Sequence, residues 1–205
     1  MRSRRQSRTL CSLALLALAA GCASAPKLPP GADNPGLAAN EALKETNPLD
    51  VAVLKVENRT QRSNLPLESM RKYFHAGLVE RHYSPLALQF VDSKYKGGTA
   101  AEASYAPGDS EEQAVLKIVL TGWDDRLWKS HARLIVDADV WLIDAQRTAG
   151  AEPLWGGHVS RTMEMARLRE FTAGDGPLLE RTMQDFAEQV LASLPARRPE
   201  LASAR

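Results

Sequence analysis

The fold is decided by the segment DVAVLKVENRT, residues 50–60. Its first seven residues, Asp50–Val56, form a nearly continuous apolar run that is rich in valine. Such a run is typical of a strand that is buried on both faces of a sheet. The polar residues Glu57–Thr60 end the run. The segment therefore predicts a central strand followed by a turn.

A helix and a second strand follow this central strand in the sequence. Pro66 suits the first position of a helix, and the apolar residues after it are spaced by three, four and four positions, which makes one stripe on a helix. These residues are Leu67, Met70, Phe74 and Leu78. The helix is expected to end near His82, and residues 86–91 alternate in the manner of a strand. The order strand, helix, strand predicts a parallel pair with a right-handed crossover.

The second half of the chain contains three further strand patterns and one helix pattern. They cover Ala114–Thr121, Ala132–Asp144, Leu154–Thr162 and residues 176–194. A turn centred near Thr148 would place Trp141 opposite Trp155 across a hairpin. The pair Gly156-Gly157 inside the last strand predicts a bulge or a bend.

These patterns together predict one α/β domain over residues 50–195, with a mixed five-stranded sheet and two main helices. Residues 93–113 are polar and interrupt the domain with a long loop, which contains at most a short helix at 99–105. A loop of this length is either functional or disordered. Residues 196–205 are expected to form a disordered tail.

The N-terminus has the organisation of a signal peptide. Four arginines and no acid precede the apolar run Leu13–Ala20, which is far shorter than the roughly 20 residues of a membrane span. The junction Leu18-Ala19-Ala20-Gly21-Cys22 resembles the lipobox of bacterial lipoproteins, in which the peptide before the cysteine is removed and the cysteine is acylated. The resemblance implies that Cys22 carries the lipid. Because Ala23 follows instead of an aspartate, it also implies an outer-membrane destination.

Residues 1–21 are thus predicted as a lipoprotein signal peptide, and residues 22–49 as a lipidated N-terminus and flexible tether, since they are rich in Ala, Pro, Gly and Asn. Removal of the signal peptide changes 26 basic against 25 acidic residues to 22 against 25, a formal charge of −3. This balance disfavours a nucleic-acid partner. The remaining cysteine, Cys11, lies in the removed peptide, so the mature domain has no thiol for a disulfide or a metal.

Three residue patterns with catalytic or metal-binding precedents are interpreted as structural. Ser69-x-x-Lys72 resembles the serine–lysine motif of penicillin-recognising enzymes, but their S-x-N and K-T-G elements are missing. His75 and His82 are seven positions apart, roughly 10 Å along a helix, which is too far for one metal ion. We therefore predict solvent-facing histidines, His131 and His158 included.

Four aspartates form the third pattern. Asp124 and Asp125 follow Gly122 and are interpreted as a turn, whereas Asp137 and Asp139 share one face of a strand and are expected to meet water or an arginine such as Arg133. No phosphate-binding or dinucleotide-binding glycine motif occurs. The sequence therefore predicts no catalytic residue, no metal site and no cofactor.

A family resemblance covers about residues 50–195. Val51–Thr60 is similar to the opening strand and turn of the CsgG-type lipoproteins, as are Leu78–Arg81, Val91-Asp92, and Asp144 ahead of Leu154-Trp155-Gly156. The wider group includes the N-terminal domain of TolB, the lipoprotein activators of penicillin-binding proteins, and uncharacterised lipoproteins, to which this chain is most similar. The alternating segments of 9–11 residues that build a membrane pore do not occur here.

The resemblance implies a lipid-anchored outer-membrane protein whose periplasmic domain binds envelope proteins, including copies of itself, or supports assembly or secretion. Two alternatives stay open. One is an activator of a peptidoglycan synthase, which works at the inner membrane. The other is a periplasmic hydrolase, which a pocket gathering His131, His158 and the aspartates would favour.

The lipid prediction is tested by labelling cells with a clickable fatty acid. The wild-type chain should take up label, and Cys22→Ala should not, because the acyl groups need the thiol. Cys11→Ala is the matched control and should label normally. Label on Cys22→Ala would contradict the assignment.

Overall fold

The computed structural model describes residues 36–96, 104–146, 152–166 and 174–198. Within these ranges the chain forms seven strands and five helices. The strands are β1 Leu37–Ala39, β2 Asp50–Val53, β3 Glu57–Asn58, β4 Ser84–Pro85, β5 Ala114–Asp124, β6 Arg133–Asp144 and β7 Trp155–Glu164. The helices are α1 Glu41–Thr46, α2 Leu67–Glu80, α3 Leu88–Ser93, α4 Trp128–His131 and α5 Asp175–Leu191.

All seven strands belong to one mixed sheet with the order β1-β7-β6-β5-β2-β4, and β3 pairs with β5 beyond the end of β2. β5, β6 and β7 form an antiparallel meander, whereas β2 is parallel to both β4 and β5. The predicted α/β class is confirmed. The strand count is seven and not five, because β1 adds a short edge strand and β3 forms at Glu57–Asn58, where a turn was predicted.

One face of the sheet carries the main hydrophobic core. α2 and α5 cover this face, and their Phe74 and Phe186 rings meet edge to face with centroids 6.2 Å apart. The predicted stripe of α2 is confirmed, since Met70, Phe74 and Leu78 are fully buried. In β6, residues Leu134 to Leu142 alternate between fully buried and half-exposed, so only one side of this strand faces the helices.

A buried arginine joins the helical layer to the central strand. Arg71 of α2 is fully buried, and its Nε and Nη2 donate to the carbonyl oxygen of Val53, the last residue of β2, at 3.1 and 2.9 Å. Its Nη1 donates to Asp92 Oδ1 of α3 at 2.8 Å. One guanidinium therefore fixes three elements relative to each other and satisfies a carbonyl that the sheet leaves free.

The strand predicted at residues 86–91 is wrong. The parallel strand is only Ser84–Pro85, and the chain then turns into α3. The alternating pattern predicted that Leu86, Leu88 and Phe90 share one buried face. In the structure Phe90 is 43% exposed, whereas its neighbour Val91 is fully buried. The predicted parallel pairing itself is confirmed, with Asp50 opposite Ser84.

The predicted contact between Trp141 and Trp155 is also wrong, by one residue. Trp155 lies opposite Leu142, and Trp141 lies opposite Gly156. A shift of one residue turns a side chain to the other face of a sheet, so Trp155 is buried under the helices. Gly156 has φ +136°, and a Cβ there would lie 2.0 Å from the Val140 carbonyl oxygen, so the position requires glycine.

The folded domain begins before residue 50, so the prediction of a tether over 22–49 is wrong from Leu37 onward. Leu37 pairs with Gly157, and the Asn40 side chain caps α1 by accepting from Leu43 N at 3.3 Å. Leu37 and Leu43 are both buried. The signal peptide, Cys22 and the rest of the predicted tether lie outside the described residues.

The start of the predicted tail is also held by the domain. Arg197 N donates to the Arg81 carbonyl oxygen at 2.9 Å, and Asn47 Nδ2 donates to the Arg198 carbonyl oxygen at 3.0 Å. Residues 199–205 and most of the predicted helix at 99–105 lie outside the described ranges. None of the helices formed by the described residues has the length and apolar character of a membrane span.

The role of Arg71 is tested by Arg71→Met, which keeps the volume and removes the donors. The Val53 carbonyl then has no partner and Asp92 loses its ion pair, so the free energy of unfolding should fall by about 2–4 kcal/mol in urea titrations. Lys72→Met is the matched control on the exposed side of the same helix and should change it by less than about 0.5 kcal/mol. Equal stabilities for the two variants would contradict the role.

Candidate functional site

The face of the sheet opposite α2 and α5 is only partly covered. Over β2 and β5 it is closed by α3 and by residues 94–96 and 104–113, so that Val91, Tyr95 and Tyr105 pack against Ala52 and Val115. Over β6 and β7 the alternate side chains are half-exposed or exposed. We call this second face of β6 and β7 the open face. Three features in this region are candidates for a functional site: a cleft, a histidine–aspartate pair and a strand edge.

The cleft lies where the covering segment meets the open face, and it encloses about 780 Å³. We call it the tyrosine cleft. Its walls include Tyr95, Tyr105 and the link between β2 and β3, and its floor includes Lys117 and Ile143. This volume is within the range of roughly 300–1,000 Å³ that is common for ligand sites.

Hydrogen bonds fix the two tyrosines. The Tyr95 hydroxyl accepts from Lys55 N at 2.9 Å, the Tyr105 hydroxyl donates to Ser110 Oγ at 2.9 Å, and the two ring centroids are 5.6 Å apart. The buried carboxylate of Glu112 accepts from Gly108 N and Ser110 N at 2.7 and 3.0 Å. The wall of the cleft is therefore held in place by its own polar contacts.

Both phenols remain neutral at physiological pH. Burial raises the pKa of Tyr105 to about 12, and burial also raises the pKa of Tyr95. The tyrosine cleft thus has aromatic walls without phenolate charge.

Positively charged side chains outnumber negatively charged ones in the tyrosine cleft. Lys117 Nζ lies 3.5 Å from Glu57 Oε2, and Glu57 Oε1 accepts from Arg59 Nε at 2.8 Å. The hydrogen bond from Arg59 lowers the pKa of Glu57, so Glu57 is anionic and shared between two cations. Lys55 Nζ lies 4.8 Å from the centroid of the Tyr95 ring, and no carboxylate among the described residues pairs with it. The cleft therefore has a surplus of positive charge.

The serine–lysine pattern does not form a site in the structure. Ser69 Oγ donates to Glu180 Oε1 of α5 at 2.5 Å, and Lys72 is exposed on α2. Neither residue lines the tyrosine cleft.

The structure separates the four histidines. His75 is half-buried with Nε2 3.2 Å from the Leu86 carbonyl oxygen, and burial lowers its pKa, so it is not the solvent-facing residue that was predicted. His82 is exposed, and exposed His131 contacts Ser130 Oγ through Nδ1 at 2.8 Å. His158 Nδ1 lies 2.9 Å from Asp139 Oδ1 on the open face. Among the described residues no group of three or more histidines and acids is placed to hold a metal.

The four aspartates are divided between two places. Asp124 accepts three hydrogen bonds from Nε and Nη2 of Arg126, and they lower the pKa of Asp124 to about 2. Asp125 pairs with Arg62 at 2.6 Å. β5 continues past Gly122 to Asp124 after a bulge, and the predicted turn at the two aspartates follows there: Asp124 Oδ1 accepts from Arg126 N at 3.1 Å, and the Asp125 carbonyl oxygen accepts from Trp128 N at 2.9 Å.

The other two aspartates lie on the open face. Asp139 pairs with His158, and Arg133 lies 3.9 Å from Glu164 instead of binding either aspartate. Asp137 packs against Gly122, where a Cβ would lie 2.1 Å from its Oδ2. The predicted arginine partner for these two aspartates is therefore wrong.

The third feature is the outer edge of β7. β1 pairs only with Trp155, Gly156 and Gly157. Along the seven residues His158–Glu164, which we call the β7 edge, no described strand pairs with the side away from β6. Its residues alternate between exposed and buried, with Val159 and Met163 in the core. The predicted strand Leu154–Thr162 is confirmed as β7, but no local sequence pattern indicates that its neighbour β1 is so short.

No protein-family model and no curated protein matches the chain. Solved structures do resemble it. The PelC dodecamer from Paraburkholderia phytofirmans has 16% identity and a TM-score of 0.48, over 79% of this chain and 96% of that one. The lipoprotein GNA1162 from Neisseria meningitidis has 20% identity and a TM-score of 0.47, over 72% and 99%. These values identify no family, and membership of the CsgG-type group stays a prediction.

Proposed function

We propose that the protein is a lipid-anchored outer-membrane protein whose periplasmic domain binds another envelope protein at the β7 edge. The observation that carries the proposal is the contrast between the ten residues of β7 and the three residues of β1 that pair with it. An uncovered edge presents N–H and C=O groups that can pair with a strand from another chain.

The side chains of the β7 edge suit such pairing. Ser160 and Thr162 are exposed, small and neutral, whereas edges that must stay unpaired commonly carry lysine or proline. Arg161 Nη1 donates to the Ser160 carbonyl oxygen at 3.2 Å, and this flexible contact can be replaced by a backbone donor. The buried Val159 and Met163 hold the strand itself against the core.

The position of the lipid supports a partner close to the membrane. Gly36, the first described residue, lies against His158 at the start of the β7 edge, where a Cβ on Gly36 would be 2.1 Å from the His158 carbonyl oxygen. Cys22 and Gly36 are 14 positions apart, and a chain of that length spans at most about 50 Å. This limit is about half of the reach that a tether up to residue 49 would have, and it disfavours a synthase at the inner membrane.

The hydrolase alternative has less support. His158 and Asp139 form a pair, but the side chain of His158 is 60% exposed and the pair lies outside the tyrosine cleft. Asp137 shares the open face but packs against Gly122, and His131, Asp124 and Asp125 lie elsewhere, so the described residues do not form the pocket that would favour a hydrolase. Hydrolysis of envelope substrates therefore ranks below binding.

The proposed surface is tested by placing a photo-crosslinking amino acid in the full chain in intact cells. At Thr162, on the β7 edge, irradiation should yield a defined protein adduct. At Lys72, which is also exposed but lies on the helical layer, it should not. An adduct at Lys72 but not at Thr162 would place the partner on the opposite face and contradict the proposal.

The proposed reach is tested by inserting a 20-residue Gly/Ser segment before Gly36. Because the partner is expected near the outer membrane, the Thr162 adduct should be unchanged or weaker, since a longer linker lowers the effective concentration at a near target. An insert of the same composition after residue 198 is the control. A stronger adduct with an inner-membrane synthase would instead support the activator alternative.

A further inference from the structure

The tyrosine cleft has the properties of a preformed ligand site, and it is separate from the β7 edge. Its wall is fixed by the bonds from Lys55 N to Tyr95 and from Tyr105 to Ser110, both 2.9 Å long. A site that is already ordered loses little conformational freedom when a ligand binds. Its volume of about 780 Å³ leaves room for a small molecule.

The charge of the cleft selects an anion. Lys55 has no carboxylate partner among the described residues, and its ammonium group lies over the face of Tyr95 at 4.8 Å. Glu57 is shared between Lys117 and Arg59. One carboxylate therefore compensates the positive charge of Lys117 only in part. The mature chain is predicted to carry a formal charge of −3, which makes this local surplus of cations unusual for the protein as a whole.

The apolar residues that line the cleft favour a ligand that has an apolar part. Leu54 and Ile143 are half-buried, and they line the cleft together with Val115. They lie beside the two lysines and present hydrocarbon where the lysines present charge. An anion without an apolar part would leave this surface in contact with water, which costs free energy in proportion to its area.

We propose that the tyrosine cleft binds a small amphipathic anion, whose carboxylate or phosphate pairs with Lys55 and Lys117 and whose apolar part lies on Leu54 and Ile143. Such a ligand has two sources: a soluble acid in the periplasm, or an anionic lipid of the membrane to which the protein is anchored. The chemistry of the site is the same for both.

The test uses chain 22–205 without acyl groups, so that no detergent is present, and the fluorescent amphipathic anion anilinonaphthalene sulfonate as the probe. The probe should bind at one site and be displaced by dodecanoate, and dodecanol should displace it at least about tenfold less well, because it lacks the charge. Lys55→Gln should weaken binding about tenfold, and Lys55→Gln with Lys117→Gln should weaken it further. Lys72→Gln is the matched control and should bind like the wild type.

Amide chemical shifts give the location. Dodecanoate should shift Val115 and Ile143 in the cleft, and it should leave Thr162 on the β7 edge unchanged. Near-ultraviolet circular dichroism of each variant shows whether its fold is intact. Loss of probe binding in Lys55→Gln with a native spectrum therefore reports the charge and not the fold.

A second arm separates the two sources. The chain is sedimented with phosphatidylglycerol vesicles and, for comparison, with phosphatidylcholine vesicles. Binding to the phosphatidylglycerol vesicles that depends on Lys55 and Lys117 identifies a lipid source. Displacement of the probe by dodecanoate without vesicle binding identifies a soluble acid. Three results would overturn the proposal: a wild-type chain that binds neither probe nor vesicles, equal displacement by dodecanol, or unchanged binding by the double variant. None of them bears on strand pairing at the β7 edge.

Discussion

The architecture depends on one buried guanidinium. β2 ends at Val53, and the chain must leave the sheet there to form the link that reaches β3. The strand's last carbonyl would be unsatisfied at that point without Arg71, which donates two hydrogen bonds to it and a third to Asp92. A buried arginine is stable only when its donors are occupied, so α2, β2 and α3 must keep their relative positions. The tyrosine cleft is built on this frame, since Tyr95 follows α3 directly and Lys55 follows Val53 by two residues.

The sheet is asymmetric, and its asymmetry accounts for both proposed sites. One face is closed by α2 and α5 and contains the main core. Within the described ranges the other face is closed only over β2 and β5, and the boundary of that cover forms the tyrosine cleft. At the far edge β1 is too short to cover β7. Surface that the described residues leave uncovered is where a binding function costs the least stability.

The elements predictable from sequence were those with long periodic patterns. β5, β6, β7, α2 and α5 all follow their strand or helix periods, and the structure confirms them to within a few residues. Local patterns were less reliable. Residues 86–91 alternate like a strand, but Asp92 must meet Arg71 and Val91 must be buried, so tertiary contacts favour the helix α3. The composition of residues 22–49, which is polar and rich in alanine, predicts a tether and gives no sign of β1 or of most of α1. Asn40 before Glu41, a capping pattern, was the signal for α1.

The candidate sites were less predictable than the fold. Lys55 was counted as part of a strand, and Tyr95 and Tyr105 lay in a segment interpreted as a loop. Two tyrosines within a polar segment were the available sign that it packs against the domain, but their contact with Lys55 depends on a chain reversal that no local pattern encodes. The β7 edge likewise depends on the length of β1, a strand from the opposite end of the domain. Spatial relations of this kind require the assembled sheet.

Hydrogen exchange tests most directly the central claim, which is that a domain with a proposed lipid anchor meets its partner at the β7 edge. The lipidated chain in isolated outer-membrane vesicles would be compared with chain 22–205 in buffer. The account predicts slower exchange in the vesicles for peptides covering residues 158–164, with peptides of α2 and α5 unchanged. Equal exchange at 158–164 in both samples, or protection confined to α2 and α5, would contradict it.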